Sequence, residues 1–267
     1  MSLLPELRRI SSQYGFRQSK KLSQHFLIDE RVLAREAGYA SPKGKSVLEI
    51  GPGFGFLTKE LAKTNPTSIT LIEKDSQLIP ILESEFTNHT IKIIHADFLK
   101  WKSGAKFDLI ISNVPYSISS PLLFHLAGLN FSRAILCLQK EFVERMLAKP
   151  GSKDYSRLSV TSQASFSVRL LEKVPRSAFH PIPKVDSAII ELIPTGEKLD
   201  ARTALLIRLL FQHKKKTVRA ALSDSAEALG ITKEEARKIA EDSGLSGRRV
   251  FTLSKEDFAN LSSRYLP

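Results

Sequence analysis

Short apolar runs alternate with helix-length segments over the first two thirds of the chain, and this alternation constrains the fold most. The runs are short enough for buried strands, and the segments between them have helical length and spacing. Alternation of this kind is typical of an α/β fold with a mainly parallel sheet and helices on both faces. Ligands of such folds bind at the carboxyl ends of the strands. The predicted strands are 46–50, 68–73, 91–96, 107–112, 133–138 and 188–193, and the predicted helices are 57–63, 77–86, 121–129 and 141–146.

The pattern changes near residue 195. After the turn Pro194-Thr195-Gly196, no strand pattern remains in the sequence. Two helical apolar faces follow, one formed by Leu205, Leu206, Leu209 and Leu210 and the other by Ala236, Ile239 and Ala240. We therefore predict an α/β domain over 1–195 and a small all-α domain over 196–267.

The charge balance points to a polyanionic partner. The 267 residues include 40 Lys and Arg against 28 Asp and Glu, for a formal net charge of +12. Clustered cations gain affinity by releasing counterions from phosphates, but net charge does not separate RNA from DNA. Residues 1–16 contain no long uncharged stretch, so we expect a cytoplasmic protein without a signal peptide or membrane contact. The single cysteine, Cys137, lies in an apolar run and is interpreted as a buried structural thiol.

A glycine turn follows the first predicted strand. Gly51, Gly53 and Gly55 alternate with Pro52 and Phe54, and glycines allow the backbone to approach a ligand closely. Pro52 removes one of the N–H groups that a dinucleotide pyrophosphate needs. The spacing therefore fits S-adenosylmethionine better than NAD, although such a turn is also compatible with an ordinary tight loop.

Acidic residues stand at the ends of the first three predicted strands. Glu49, Glu73 and Asp97 occupy these positions, and Phe98 follows the last of them. A carboxylate placed as Glu73 is, about 20 residues past a glycine turn, suits both ribose hydroxyls of a nucleoside. Asp97 can accept from an adenine amino group while Phe98 lies near the ring. Several carboxylates in one cleft would repel phosphates and favour a sulfonium cation.

The tetrapeptide Asn113-Val114-Pro115-Tyr116 directly follows the fourth predicted strand. Proline restricts Val114 to an extended conformation, which directs the Val114 carbonyl beside the Asn113 amide. Two acceptors and an aromatic face suit an exocyclic amine such as adenine N6. The alternative is a strand that simply ends in a proline turn.

With these motifs in place, the chain resembles the ribosomal small-subunit RNA adenine dimethyltransferases, the KsgA-type family, over nearly its whole length. Segment 21–29 is similar to the family's N-terminal segment, although the family usually has glycine where Ser23 stands. Segment 179–187 is similar to the segment that closes over the target base. Segments 153–159 and 214–219 also match, and 113–120 resembles archaeal members.

The resemblance implies a Rossmann-like class I methyltransferase sheet flanked by helices. It also implies a transfer of two methyl groups from S-adenosylmethionine to adenine N6 in small-subunit ribosomal RNA, during ribosome biogenesis. The expected partner is that RNA within a pre-small-subunit particle, bound by a monomer, and no metal site is predicted. The residues expected to hold the adenine are Asn113, Val114, Pro115, Tyr116 and Phe179. The expected cofactor residues are Gln24, His25, Leu27, Glu49, Gly51, Gly53, Gly55, Glu73, Lys74, Asp97, Phe98 and Asn113. The expected phosphate contacts are Lys149, Lys153, Arg157, Lys184, Lys214, Lys215, Lys216 and Arg219.

Three alternatives stay open at this point. An adenine methyltransferase for large-subunit RNA would share the fold and motifs. A ribosome-assembly factor whose catalysis is secondary would share the basic surface. A dinucleotide oxidoreductase would share the glycine turn, but Pro52 disfavours it.

Overall fold

A computed structural model describes residues 1–19, 22–197 and 199–265. Lys21, in the predicted N-terminal motif, lies outside these residues. The helices are α1 (Leu4–Gln13), α2 (Glu30–Ala40), α3 (Phe56–Ala62), α4 (Ile79–Glu85), α5 (Ser119–Leu126), α6 (Lys140–Leu147), α7 (Arg157–Ser165), α8 (Ala201–Leu210), α9 (Val218–Asp224), α10 (Lys233–Asp242) and α11 (Lys255–Tyr265). The strands are β1 (Phe26–Leu27), β2 (Ser46–Ile50), β3 (Ser68–Glu73), β4 (Ile91–His95), β5 (Phe107–Asn113), β6 (Phe131–Gln139), β7 (Phe166–Val174), β8 (Phe179–His180) and β9 (Ser187–Pro194).

A seven-stranded sheet in the order β4-β3-β2-β5-β6-β9-β7 carries the fold. Strands β4, β3, β2, β5 and β6 are parallel to their neighbours, and β9 pairs antiparallel with β6. The strand order reverses between β2 and β5, since β3 and β4 lie on one side of β2 and the later strands on the other. Side chains at the carboxyl ends of β2 and β5 therefore share one crevice.

The predicted α/β fold is confirmed, and the predicted strands agree with the observed ones within two residues at each end. Parallel strands that are buried on both faces have continuous apolar sequences, and β5 shows this at Leu109, Ile110 and Ile111, each at most 1% exposed. Among the elements between residues 1 and 195, the sequence did not predict α1, α2, α7, the short strands β1 and β8, and β7. In β7 most residues between Phe166 and Val174 are not buried, so no apolar run marks the strand.

The chain divides into two compact units. The first comprises residues 1–143 and 169–194, and the second comprises 144–168 and 195–267. The division after Pro194 lies one residue from the predicted boundary, but 144–168 belongs with the C-terminal helices and not with the α/β part to which the sequence assigned it. The reason is packing, because Tyr155 and Val160 lie in the same buried cluster as Leu206, Ala221 and Phe258.

The second unit has its own apolar core, formed by helices α8 to α11 and the inserted segment. The Tyr155 hydroxyl donates to the Leu253 carbonyl at 2.8 Å, which satisfies a buried polar pair inside that core. Thr217 caps α9 and Thr232 caps α10, each by accepting from a backbone N–H of the first turn. Within the described ranges, no helix is long and apolar enough to cross a membrane.

Candidate active site

A cavity of the first unit lies at the strand-order reversal. Its lining comes from the ends of β2, β3 and β5, from the loop after β4, and from the segments around β1 and β8. All five predicted adenine-holding residues line it: Asn113, Val114, Pro115, Tyr116 and Phe179. The predicted cofactor residues line it as well, except Gly55. The structure thus brings together residues that are up to 155 positions apart in the sequence, from Gln24 to Phe179.

The glycine turn meets the cavity at its first two glycines. Gly51 has a φ of +66°, and a Cβ there would meet no atom within 4 Å. A Cβ on Gly53 would stand 3.1 Å from the Phe26 ring. Gly55 begins α3 with a φ of +75°, and a Cβ there would stand only 2.5 Å from Phe86. Gly55 does not line the cavity, and its predicted contact with the cofactor stays a prediction.

The Glu73 carboxylate is held by the backbone around it. Its Oε1 accepts from the N–H groups of Lys74 and Asp75, both at 2.8 Å, and its Oε2 accepts from the Gly53 N–H at 3.2 Å. A carboxylate has about four acceptor positions, so about one remains for a ligand hydroxyl. The carboxylate is therefore fixed in place. It has room to accept from about one ligand hydroxyl, whereas the sequence predicted that it accepts from two.

Asp97 and Lys74 form an ion pair at the rim of the cavity. Lys74 Nζ lies 2.9 Å from Asp97 Oδ2, and Asp97 Oδ1 accepts from the Leu99 N–H at 3.1 Å. The Lys74 hydrogen bond is the largest influence that lowers the pKa of Asp97. Asp97 therefore stays ionised and can accept from an amino group. Phe98 is buried beside it and stacks on Trp101 with ring centroids 6.2 Å apart.

Burial changes the charge that the sequence predicted for this cleft. It raises the pKa of Glu49 to about 8; the hydrogen bond from Thr58 opposes the rise and Glu73 adds to it. Burial also raises the pKa of Glu73, against the hydrogen bonds from its backbone donors. Glu49 is therefore largely protonated at neutral pH, so the expected cluster carries less negative charge than the sequence predicted. A cation in the cavity would favour the ionised forms, since opposite charges lower a carboxyl pKa.

The N-terminal segment is joined to the segment around Phe179. Strands β1 and β8 pair antiparallel, with Leu27 opposite Phe179. His25 Nδ1 lies 2.7 Å from the Pro181 carbonyl, which can only accept, so Nδ1 carries the hydrogen. The buried Gln24 amide donates to Asp75 Oδ2 at 2.7 Å and accepts from the Ser19 N–H at 2.8 Å. Ser23 has a φ of +50°, in the region that favours glycine.

The tetrapeptide Asn113 to Tyr116 begins at the last residue of β5 and contains a buried acceptor without a partner. Asn113 lies opposite Cys137 in the sheet, and its Oδ1 is buried without a hydrogen-bond partner. The Tyr116 hydroxyl lies 2.6 Å from Ser187 Oγ, and the Tyr116 ring stacks on His25 with centroids 5.6 Å apart. Val114 is 3% exposed, and its N–H donates to the Cys137 carbonyl. The site thus combines the unpaired acceptor of Asn113 with the Tyr116 side chain, whose ring contacts His25 and whose hydroxyl contacts Ser187.

The candidate phosphate contacts divide between the units. Lys184 is an exposed residue of the first unit, and the others belong to the second. Lys214 Nζ donates to the carbonyls of Lys153 and Tyr155, so it ties two segments of the second unit together. Lys216 pairs with Asp224 at 2.7 Å and Arg219 with Glu241 at 3.6 Å. Lys149, Lys153, Arg157 and Lys215 are exposed, and within 1–19, 22–197 and 199–265 no ion pair engages them.

Sequence reasoning missed two residues near Asn113. Cys137 lines the cavity. Burial raises the pKa of its thiol well above the usual range, as expected for a buried structural thiol. Glu36 lies on the buried face of α2 with 0% exposure. An acid at helical spacing among Val32, Leu33 and Ala40 was the signal that could have found it.

Comparison with known proteins agrees with this geometry. The chain matches a family model described as ribosomal RNA adenine dimethylase over residues 15–264. It is 44% identical over 256 residues to the probable ribosomal RNA small subunit methyltransferase A of Thermococcus sibiricus, over 94% of this chain and 93% of the relative.

Two solved structures are similar over most of their length. A dimethyladenosine transferase from Plasmodium falciparum gives a TM-score of 0.75 at 30% identity, covering 86% of this chain and 94% of that one. The structure of the 23S rRNA methyltransferase ErmE gives a TM-score of 0.65 at 28% identity, covering 90% of this chain and 99% of that one. The shared fold is that of class I methyltransferases, and the chain belongs to the ribosomal RNA adenine dimethylase family.

Proposed function

We propose that this protein transfers methyl groups from S-adenosylmethionine to N6 of adenines in small-subunit ribosomal RNA, giving N6,N6-dimethyladenosine. The observation that carries the proposal is the buried, unpartnered Oδ1 of Asn113, a residue that lines the cavity. A buried acceptor without a partner is costly, so its presence on a cavity-lining residue indicates a ligand donor. The 44% identical relative is named as a small-subunit RNA methyltransferase, which favours that substrate.

The residues of the cavity fit the methyl donor. Glu73 has an acceptor position for a ribose hydroxyl, Asp97 is an ionised acceptor for an amino group, and Gly51 leaves open space beside the backbone. When bound, S-adenosylmethionine supplies an electrophilic methyl group on a positively charged sulfur. The acids Glu49 and Glu73 suit such a charge better than they suit a pyrophosphate.

The role of Asn113 is to make the target nitrogen nucleophilic. The N6 lone pair of adenine is delocalised into the ring, so the free base is a poor nucleophile. Hydrogen bonds from N6 to Asn113 Oδ1 and to the Val114 carbonyl would draw the nitrogen toward tetrahedral geometry. These acceptors bind more strongly as positive charge develops on N6, which is a transition-state effect. A singly methylated N6 keeps one N–H, which a single acceptor satisfies.

Tyr116 and Phe179 position the base. Stacking of a base on an aromatic side chain contributes about 1–3 kcal/mol. His25 stacks on Tyr116 and Ser187 binds its hydroxyl, so the Tyr116 ring is fixed before a base arrives. Phe179 is 3% exposed, and its backbone is held in the strand pair with β1. Correct placement of the amine lowers the activation barrier without a general base. The N–H of the alkylated nitrogen is acidic, so N6 then releases its proton to solvent.

The RNA partner is proposed to be part of a pre-small-subunit particle, bound by a monomeric enzyme. Exposed Lys149, Lys153, Arg157 and Lys215 of the second unit are proposed phosphate contacts, together with Lys184 of the first. Lys214, Lys216 and Arg219 are proposed to contribute after exchanging their present partners. Phosphate contacts position the RNA and carry little sequence information. Selection of the adenine would come from RNA shape.

The test is mass analysis of adenines after incubation with S-adenosylmethionine. Purified small subunits are expected to gain dimethyladenosine, and free large-subunit RNA is expected to gain none. The reverse result would favour the large-subunit activity named for the 28% identical structure. Absence of methylated adenine in both would contradict the proposal.

Asn113→Ala is expected to lower kcat by about 100- to 1,000-fold, the usual loss for a group that stabilises developing charge. Asn88→Ala is the matched control. Asn88 is an exposed turn residue whose Oδ1 accepts from the Thr90 N–H, so its loss leaves the cavity intact. If Asn113→Ala removes methylation but subunit maturation proceeds normally, an assembly role separable from catalysis is supported.

A further inference from the structure

One buried acid of the first unit has no part in the mechanism above. Glu36 lies on the apolar face of α2 and is 0% exposed. Neither of its carboxyl oxygens has a hydrogen-bond partner. A buried polar group without a partner lowers stability, so its presence needs an explanation.

Helix α2, which carries Glu36, packs against β6, and in β6 Cys137 lies opposite Asn113 of β5. The groups that act on Glu36 lie on four strands. Glu49 of β2 and Glu172 of β7 raise its pKa, and the Asn113 side chain of β5 lowers it at short range. The charge of Glu36 in turn raises the pKa of Cys137 on β6. None of these neighbours is a cation. Burial therefore dominates and raises the pKa of Glu36 to about 8, so the carboxyl is mostly uncharged at neutral pH.

Asn113 needs a partner of this kind. An asparagine amide has a carbonyl oxygen that accepts and an NH₂ group that donates. A half-turn about the Cβ–Cγ bond exchanges the positions of these two groups. The proposed chemistry requires Oδ1 to face the target amine, which turns Nδ2 away from it. A carboxyl oxygen beside the amide supplies an acceptor for Nδ2. An apolar side chain in its place would leave the amide free to turn over.

We propose that Glu36 is a positioning residue that accepts a hydrogen bond from Nδ2 of Asn113 and so keeps Oδ1 directed at the target amine. This inference rests on the proposed role of Asn113. Both groups are buried, and each has an oxygen without a partner. Catalytic hydrogen bonds are commonly long or poorly aligned outside the reacting complex and tighten within it. Engagement of Oδ1 by the amine therefore draws Nδ2 onto Glu36.

The experiment compares Glu36→Leu with Glu36→Gln. Leucine has a similar size but no acceptor, whereas glutamine keeps a carbonyl oxygen that Nδ2 can use. We measure kcat for methyl transfer, the affinity for S-adenosylmethionine by calorimetry, and the melting temperature. The Leu variant is expected to lose about 10- to 100-fold in kcat, as supporting hydrogen bonds commonly do when removed. Its cofactor affinity should not change, and its melting temperature should hold or rise because an unpaired buried polar group is gone.

The Gln variant is expected to keep kcat close to the wild-type value. An unchanged kcat in Glu36→Leu would overturn the inference. A parallel loss of kcat, cofactor affinity and melting temperature in both variants would also overturn it, since that pattern indicates a structural role. Glu36→Met is the second apolar variant if the leucine form does not fold. Asn113→Ala separates the two proposals: if it retains full activity, the proposed site fails, whereas an inactive Asn113→Ala beside a fully active Glu36→Leu refutes only the inference about Glu36.

Discussion

Substitution of Gly55 by alanine should destabilise the first unit more than the same change at Gly51. Both glycines have positive φ, so each alanine carries a conformational cost of about 1–2 kcal/mol. Only at Gly55 does the new Cβ meet other atoms, at 2.5 and 2.8 Å from the Phe86 ring and 3.3 Å from Leu82. Forcing a methyl group into packed side chains adds about 1–3 kcal/mol. We expect a total of about 2–5 kcal/mol for Gly55→Ala, from the same two costs.

Urea unfolding followed by tryptophan fluorescence measures this difference. The chain has one tryptophan, Trp101, which lies in the first unit with both glycines. Its signal therefore reports on the unit that the substitutions affect. Gly51→Ala is the matched control, because its Cβ would meet nothing within 4 Å.

The Phe86 ring provides a second check. Phe86→Leu should recover part of the loss in the Gly55→Ala background, because removal of the ring relieves the contact, and a double-mutant cycle measures that coupling. Equal free energies of unfolding for Gly55→Ala and Gly51→Ala would refute the packing argument.

Two further substitutions test contacts within single units. Tyr155→Phe leaves the buried Leu253 carbonyl without its donor, so the second unit should lose about 1–3 kcal/mol of stability in calorimetric melting; an unchanged melting profile would contradict this. Glu172 accepts from Arg35 and Tyr39, and the Arg35 hydrogen bond lowers its pKa most. This stabilisation is present above the unfolded pKa of about 4.3 and is lost as pH falls through the lower folded value. Glu172→Gln should therefore flatten the acid limb of the stability curve, and a limb of unchanged slope would show that the pair contributes nothing.

The sheet could be predicted from sequence because its strands are buried on both faces. Leu109 to Ile111 is a continuous apolar run, and in β2 only Glu49 interrupts the apolar residues Val47, Leu48 and Ile50. Short apolar runs that alternate with helix-length segments indicate buried strands. The position of the candidate site followed from the fold, since Glu73 and Asn113 are the last residues of β3 and β5 and line the same cavity. Glu36 could not be placed so easily, because the partner that explains it is 77 positions away in the sequence.

Other features depend on tertiary contacts between residues that are distant in the sequence, and local sequence patterns do not predict those contacts. Gly55 belongs to the glycine motif by spacing, yet the atoms against it are those of Phe86. Tyr155 lies in segment 153–159, and only the folded chain shows that its ring joins the core of the C-terminal helices. Burial also altered the charge of Glu49, because desolvation depends on three-dimensional surroundings.

The pairing of β9 with β6 determines when the first unit can finish folding on the ribosome. Strand β9 is synthesised about 50 residues after β6 ends, which takes about 3–10 s at usual elongation rates. During that interval the edge of β6 that pairs with β9 has no partner strand. The inserted segment 144–168 also lacks the helices of 195–267 against which it packs, because they have not yet been synthesised. Neither unit is a continuous stretch of chain. A protein ended at residue 143 or begun at residue 195 would therefore lack part of the unit it was meant to contain.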